Sequence, residues 1–193
     1  MTLHEKLIFI DLETTGANLI NDRITEIGIV TVSADGGIER WSSFVNPGRS
    51  IPSFIQDLTG ISDRMVAAAP TFDALADTVR ARLEGGLFIA HNARFDYGFL
   101  HHALARTGHA LSTDVLCTVK LSRRFFPEEK RHNLDTLITR HGLVPTARHR
   151  ALADADLLWQ LWEKLTASMP HDSFSQAIQA LRQRPALSPP ANA

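Results

Sequence analysis

Four acidic residues in this chain stand where the local pattern calls for apolar ones. Asp11 and Glu13 close the run Leu7-Ile8-Phe9-Ile10-Asp11-Leu12-Glu13. In an extended chain residues two apart share a face. The two acids therefore continue the face of Leu7 and Phe9, while Ile8, Ile10 and Leu12 fill the other. Asp96 lies in a segment of helical period, about 100° per residue. It shares an arc with Phe99, Leu100, Ala103 and Leu104, and Arg94, His101 and His102 lie on the other side. Asp154 falls on the arc of Ala151, Leu157, Leu158, Leu161, Trp162 and Leu165. Asp156 falls opposite, with Gln160 and Glu163, and reads as an ordinary solvent-facing acid. A carboxylate buried without a partner is costly or takes up a proton. Either each of the four finds its own arginine, lysine or backbone amide, or they share a divalent cation. Four such acids in one small protein favour the shared cation. Oxygen donors with no thiolate favour Mg²⁺ or Mn²⁺ over structural zinc. Sites of this type often hold two ions about 3.5–4 Å apart, clamping the attacking and leaving oxygens of a phosphoryl displacement. Glu26, in Ile24-Thr25-Glu26-Ile27, reads as a structural brace rather than a ligand.

Strands and helices have to bring these side chains together. Leu7–Asp11 reads as a buried central strand with the carboxylates emerging at its end, where Gly16 allows the chain to turn away. Ile24–Ser33 and Ile38–Val45 form a hairpin through Ala34-Asp35-Gly36-Gly37. Thr71 caps a helix over Phe72–Leu83, ended by Gly85-Gly86. A strand at Leu87–His91 leads to a helix at Ala93–Thr107, closed by Gly108. A strand near Leu111–Leu116 and short helices at Val119–Phe125 and Leu134–His141 follow, then a long helix at Ala151–Ala167. A weaker helix near Phe174–Arg184 runs into a loose tail, Pro185–Ala193. The pattern is α/β, a mixed sheet flanked by helices. The expected division is a catalytic domain over 1–168 and a C-terminal extension over 169–193.

A chain of 193 residues, 44% hydrophobic, is large enough for one full core. Cys117 is the only cysteine, which excludes an internal disulfide framework and a cysteine-based zinc cluster and fits a reducing compartment. Met1 to Lys6 lack the order of a signal peptide, and no apolar run approaches the roughly 20 residues that span a bilayer. The expectation is a cytoplasmic protein with no membrane partner. The net charge is −1, yet between Lys120 and Arg150 eight basic residues face three acidic ones. That segment is either a phosphate-binding surface or a solvated face.

The acids sit in three longer motifs. Asp11-Leu12-Glu13-Thr14-Thr15-Gly16, Ala90-His91-Asn92-Ala93-Arg94-Phe95-Asp96 and His149-Arg150-Ala151-Leu152-Ala153-Asp154 occur in that order. Together they resemble the exonuclease motifs of the DEDDh group of 3′→5′ exonucleases, which includes the epsilon proofreading subunit of bacterial DNA polymerase III. The likeness covers roughly Lys6 to Leu165. It implies a ribonuclease-H-like fold with a five-stranded sheet, and two-metal hydrolysis releasing nucleoside monophosphates from a 3′ end. Carried over by position, Asp11 bridges two Mg²⁺ or Mn²⁺ ions, Glu13 and Asp154 complete the site of the water-bearing ion, and Asp96 holds the second. His149 is the general base, a role imidazole is suited to. Thr14, Thr15, Thr59 (in Leu58-Thr59-Gly60-Ile61) and Asn92 are implied substrate contacts. Phe95 reads as core packing. Arg148 and Arg150, flanking the base, read either as phosphate contacts or as solvent-facing residues.

The implied partner is a single-stranded or frayed 3′ end of DNA, or RNA. The spacing is nearer the epsilon subunits, which favours DNA over an RNA-trimming enzyme like ribonuclease T. Epsilon subunits also carry a polymerase-binding extension and a clamp-binding segment. Pro170 to Ala193 resembles neither, so a polymerase partner is doubtful. A non-catalytic nucleic-acid-binding module is the remote alternative, and the five reactive side chains argue against it.

Overall fold

The computed structural model describes residues 5–185. A five-stranded sheet runs through them in the order β3-β2-β1-β4-β5. The central strand, β1 (Lys6–Thr14), pairs antiparallel with β2 (Ile24–Val32), and β2 pairs antiparallel with β3 (Ile38–Phe44). On its other edge β1 runs parallel to β4 (Gly86–Ala90), which runs parallel to β5 (Val115–Cys117). The hairpin turn closes where expected, the Ser33 N–H donating to the Gly37 carbonyl at 2.8 Å. This mixed sheet, flanked by helices, is the ribonuclease-H-like arrangement.

The alternation along β1 sorts the core into two layers. Leu7 and Phe9, with Val30 and Val32 of β2, face α7 (Ala151–Ser168). The Phe9 ring lies 5.5 and 5.8 Å from those of Trp159 and Trp162. Ile8, Ile10 and Leu12 face α3 (Phe72–Leu83) and α4 (Arg94–Arg106). A third, smaller cluster of Ile51, Ile61 and Val66, joined by Phe44 and Ile55, seats two short helices. These are α1 (Ser53–Thr59) and α2 (Asp63–Val66), for which the sequence pattern carries no signal.

Three boundaries differ from expectation. β1 continues to Thr14, because Asp11 and Glu13 pair in register with Gly28 and Glu26. The carboxylates are therefore part of the ladder, not beyond it. β5 is short and later than expected. The Asp114 carbonyl accepts the Phe88 N–H at 2.9 Å, while the Leu111 carbonyl accepts the Tyr97 hydroxyl at 3.0 Å instead of a strand partner. After α5 (Thr118–Phe125) and α6 (Leu134–His141), the last helix, α8 (His171–Leu181), starts earlier than expected. It buries Phe174, Ala177 and Ile178 in the layer that holds Trp162. The boundary expected at residue 168 thus lies between two helices of one core. Gln183 and Val115 exchange both backbone hydrogen bonds, at 2.7 and 3.0 Å. From residue 186 onward the expected loose tail lies outside the described residues. Among those residues no helix is long and apolar enough to cross a membrane.

Candidate active site

α7 lies directly on β1 and β2, and Gly28 makes that approach possible. A side chain there would collide with the backbone of Ala151 and Leu152. Two pairs further along the ladder, Glu26 stands opposite Glu13 and is 4% exposed. Its carboxylate accepts the Ala151 N–H at 3.0 Å and two nitrogens of the Arg150 guanidinium at 2.8 and 3.1 Å. Arg150 in turn lies over the Phe44 ring at 5.0 Å. Glu26 therefore braces the first turn of α7 as expected, and Arg150 is committed to it rather than to phosphate or to free solvent. The first turn delivers Asp154, 5% exposed, to Glu13. Carboxylate oxygens of Glu13 and Asp154 and a ring nitrogen of His149 lie within 4.8 Å of one another. Asp96, in the first turn of α4, is 2% exposed.

All four predicted ligand carboxyls are pushed toward protonation. Burial is the main cause for each. Asp11 is raised well above the usual carboxylate range, with the charges of Asp96, Asp154 and Glu13 adding to burial. Glu13 rises to about 7, with Asp154 and Glu26 adding and Arg148 and Arg150 opposing. Asp96 rises to about 8, burial outweighing the backbone N–H groups of Asp96 and Leu12. Asp154 is raised by burial against Arg148 and His149. Asp11 feels the charges of Asp96, Asp154 and Glu13, so the acids of the three motifs act on one another, and Glu13, Asp154 and His149 lie close enough to share one ion. The acids' direct cationic partner is Arg148, which hydrogen-bonds Asp154 and anchors on Asp135 through Nε at 3.0 Å and Nη2 at 2.8 Å. Carboxylates raised by burial, and at Asp11 and Glu13 further by the charges of neighbouring carboxylates, with an imidazole beside them, fit divalent cations that prefer oxygen donors.

Two residues other than glycine adopt left-handed backbone among the described residues, Asn92 (φ 61°) and His149 (φ 56°). Each stands just before a helix that carries a cluster acid. Such conformations cost on the order of 1 kcal/mol or more and tend to gather at functional sites. At His149 the turn keeps the imidazole beside Glu13 and Asp154 rather than along α7. His91, in contrast, pairs with the Thr118 hydroxyl at 2.9 Å and is pushed down to about 4 by burial and then by Arg148. It stays neutral and braces β4 against α5.

The threonine hydroxyls serve their own loops. Thr15 donates to Asp22 at 3.0 Å and accepts the Arg23 N–H at 3.0 Å, and Thr14 donates to the Gly16 carbonyl at 2.6 Å. A side chain at Gly16 would meet the Asp22 carboxylate, so this glycine closes the loop rather than merely releasing the strand. Thr59 donates to the Ile55 carbonyl at 2.9 Å and accepts the Ile61 N–H at 3.1 Å. Asn92 is exposed. Phe95 packs its ring, tilted, against that of Phe99 at 4.8 Å in the second layer, a packing role as expected. Beside Thr59, Phe54 and Leu58 are 66% and 55% exposed. Phe54 was not among the expected site residues, and its only signal is an apolar pair four apart on a short polar helix.

Residues 8–161 match the model of the Exonuclease (RNase_T) family. The chain is 37% identical over 178 residues to the 3′-5′ exonuclease DinG of Bacillus subtilis (strain 168), covering 89% of this chain and 19% of that protein. It is 34% identical over 186 residues to DNA polymerase III PolC-type of Caldanaerobacter subterraneus subsp. tengcongensis, covering 95% and 13%. It thus spans less than a fifth of the length of these curated relatives. Exonuclease X, solved in complex with 5′ overhanging duplex DNA, superposes with a TM-score of 0.69 at 27% identity, over 89% of this chain and 98% of that one. With its motifs, its fold and a family model matched across most of its length, the chain belongs to the Exonuclease family.

Proposed function

We propose that this chain is a divalent-metal-dependent 3′→5′ exonuclease that releases nucleoside monophosphates from the 3′ ends of DNA. The observation that carries the reading is the convergence of Glu13, Asp154 and His149 within 4.8 Å, in a cluster that includes Asp11 and Asp96. The names of the relatives support the polarity and the choice of DNA. Asp11, Glu13, Asp96 and Asp154 would hold the ions, with Glu13 and Asp154 beside His149. When bound, the ions supply the positive charge that acidifies the attacking water and stabilises the leaving oxygen. The protein's own part is proton transfer and positioning. His149 accepts the proton of the attacking water. The Glu26–Arg150 brace fixes the start of α7, so that His149 and Asp154 keep one geometry toward β1. Asn92 and the backbone of Thr14, Thr15 and Thr59 are assigned to the terminal nucleotide. Lys120, Arg123, Arg124, Lys130 and Arg131 are exposed, and no ion pair engages them among the described residues. They are assigned to the phosphates of the incoming strand.

The test is digestion of end-labelled single-stranded, duplex and 3′-mismatched DNA, with RNA of matched sequence alongside. Mononucleotides should appear from the 3′ end only when Mg²⁺ or Mn²⁺ is supplied, and faster from DNA. Undiminished cleavage in excess EDTA, or release from the 5′ end, would sink the reading. Preference for RNA would move the substrate assignment to the 2′-hydroxyl-bearing strand.

A further inference from the structure

One guanidinium stands inside the carboxylate cluster. Arg148 donates Nη1 to Oδ1 of Asp154, and turns Nε and Nη2 to a single oxygen of Asp135, at 3.0 and 2.8 Å. The two anchors differ in kind. The Asp154 side chain is 7% exposed and belongs to the cluster, whereas that of Asp135, at the start of α6, is 68% exposed. The charge of Arg148 also opposes the upward push on Asp11 and Glu13. Its neighbour Arg150 does not share this duty, being held on Glu26.

We propose that Arg148 is an internal counter-cation that takes a ligand oxygen of Asp154 in competition with the divalent metal, and that Asp135 is the tether onto which it withdraws. The inference rests on the metal-dependent reading above. Like-charged carboxylates this close require either protons or a cation. Arginine stays charged at any working pH, so it leaves Asp154 by displacement and not by losing a proton. Two of its nitrogens already grip Asp135, so the displacement needs only Nη1 to let go. Nη1 then remains at the rim of the cluster, charged and geometrically suited to a phosphate oxygen. The same side chain thus weakens metal binding in the free protein and strengthens substrate binding in the loaded one.

Mn²⁺ titration by calorimetry at about pH 8.5, in two buffers of different ionisation enthalpy so that protons released by the acids are counted, tests this on the parent, Arg148→Gln, Asp135→Asn and the double variant. Arg148→Gln should bind Mn²⁺ at least about tenfold more tightly, because it frees the Asp154 oxygen and takes a positive charge away from the acids. Asp135→Asn should weaken Mn²⁺ binding in the parent and do much less in the Arg148→Gln background. The metal-free Arg148→Gln protein should melt lower and gain more from Mn²⁺, and its KM for single-stranded DNA should rise. A purely structural arginine predicts the opposite sign, since a loosened α7 would bind metal more weakly. Equal or weaker Mn²⁺ affinity in a folded Arg148→Gln protein overturns the proposal and leaves the metal-dependent reading standing. Failure of the parent to bind Mn²⁺ overturns both. If Arg148→Gln does not fold, Arg148→Lys decides: it keeps the charge but not the fork that spans both acids, so parental or weaker affinity counts against the proposal and tighter binding supports it.

Discussion

Asp154 and Asp156 are two positions apart on α7 and are expected to behave as different kinds of residue. Asp154→Asn removes a proposed ligand and should lower turnover by several orders of magnitude. Asp156 is not the free surface acid its helical phase suggested. It pairs with Arg40 of β3 at 2.6 Å and accepts from Gln160 at 3.0 Å. Both partners of the ion pair are partly exposed, so Asp156→Asn should leave turnover intact and cost no more than about 1 kcal/mol by chemical denaturation. His149→Ala should lower single-turnover rates by about 10²–10⁴-fold with little change in Mn²⁺ affinity. A collapse of that affinity would make His149 a ligand instead. The raised acids also set a pH dependence. Glu13 at about 7 and Asp96 at about 8 hold protons in the folded protein that the unfolded chain releases in the ordinary carboxylate range. Folded binds more protons than unfolded, so the slope of stability with pH is negative between those limits. The contribution is full at acidic pH and lost as pH rises through about 7 to 8. The metal-free melting temperature should therefore fall across that window, and Asp96→Asn should flatten the fall.

At the scale of elements, the parts that position the site were legible because two periods suffice to read them. Alternation in β1 and the apolar arc of α7 placed Asp11, Glu13 and Asp154 on facing surfaces, and α4 placed Asp96 within its apolar arc. What no period carries is the contact between distant segments. The Thr15 hydroxyl reads as free for a substrate until it is found on Asp22, which leaves the backbone there for that role. Arg148 and Arg150 look alike in sequence, and only the path of the chain before α7 gives one to Asp154 and the other to Glu26. The brace at Glu26 has a measurable worth. Glu26→Gln leaves Arg150 without its carboxylate, and breaking such a pair costs about 3–5 kcal/mol when both partners are buried. Arg150 is 40% exposed, so about 1–3 kcal/mol is the expectation here, after discounting for solvent. Turnover should fall too, because the start of α7 carries His149 and Asp154.

Over the whole molecule, the element sequence implied a hairpin and a mixed sheet flanked by helices, and the structure adds the order, with β1-β2-β3 antiparallel and β4 and β5 parallel to β1. The two helices that escaped notice, α1 and α2, have seven and four residues. Neither is long enough to show a period, and both are held by the tertiary cluster of Ile51, Ile61 and Val66. The C-terminal segment was misjudged in weight for a different reason. Its helix is short, but Phe174 is 1% exposed and packs its ring against Trp162 at 5.1 Å and Phe125 at 5.8 Å. Phe174→Ala should cost about 3–5 kcal/mol, and a chain ended at Ser168 should be markedly less stable than one ended at Pro185. Equal melting temperatures for those two chains would return the segment to the status of an appendage.

Gly28 makes one dimension of this protein independent of side-chain chemistry. At that point the sheet and α7 are separated by main chain alone, so the gap is a fixed gauge with no adjustable filling. Elsewhere in the same layer the gap is filled by the side chains of Phe9, Trp159 and Trp162. Core mutations remote from Gly28 should therefore erode stability while the spacing between β1's acids and those of α7 holds. Gly28→Ala, whose Cβ would meet the backbone of Ala151 and Leu152, should push α7 off β2 and lower turnover and melting temperature together. The catalytic spacing is in this sense calibrated by a missing atom, and the rest of the core is free to evolve around it.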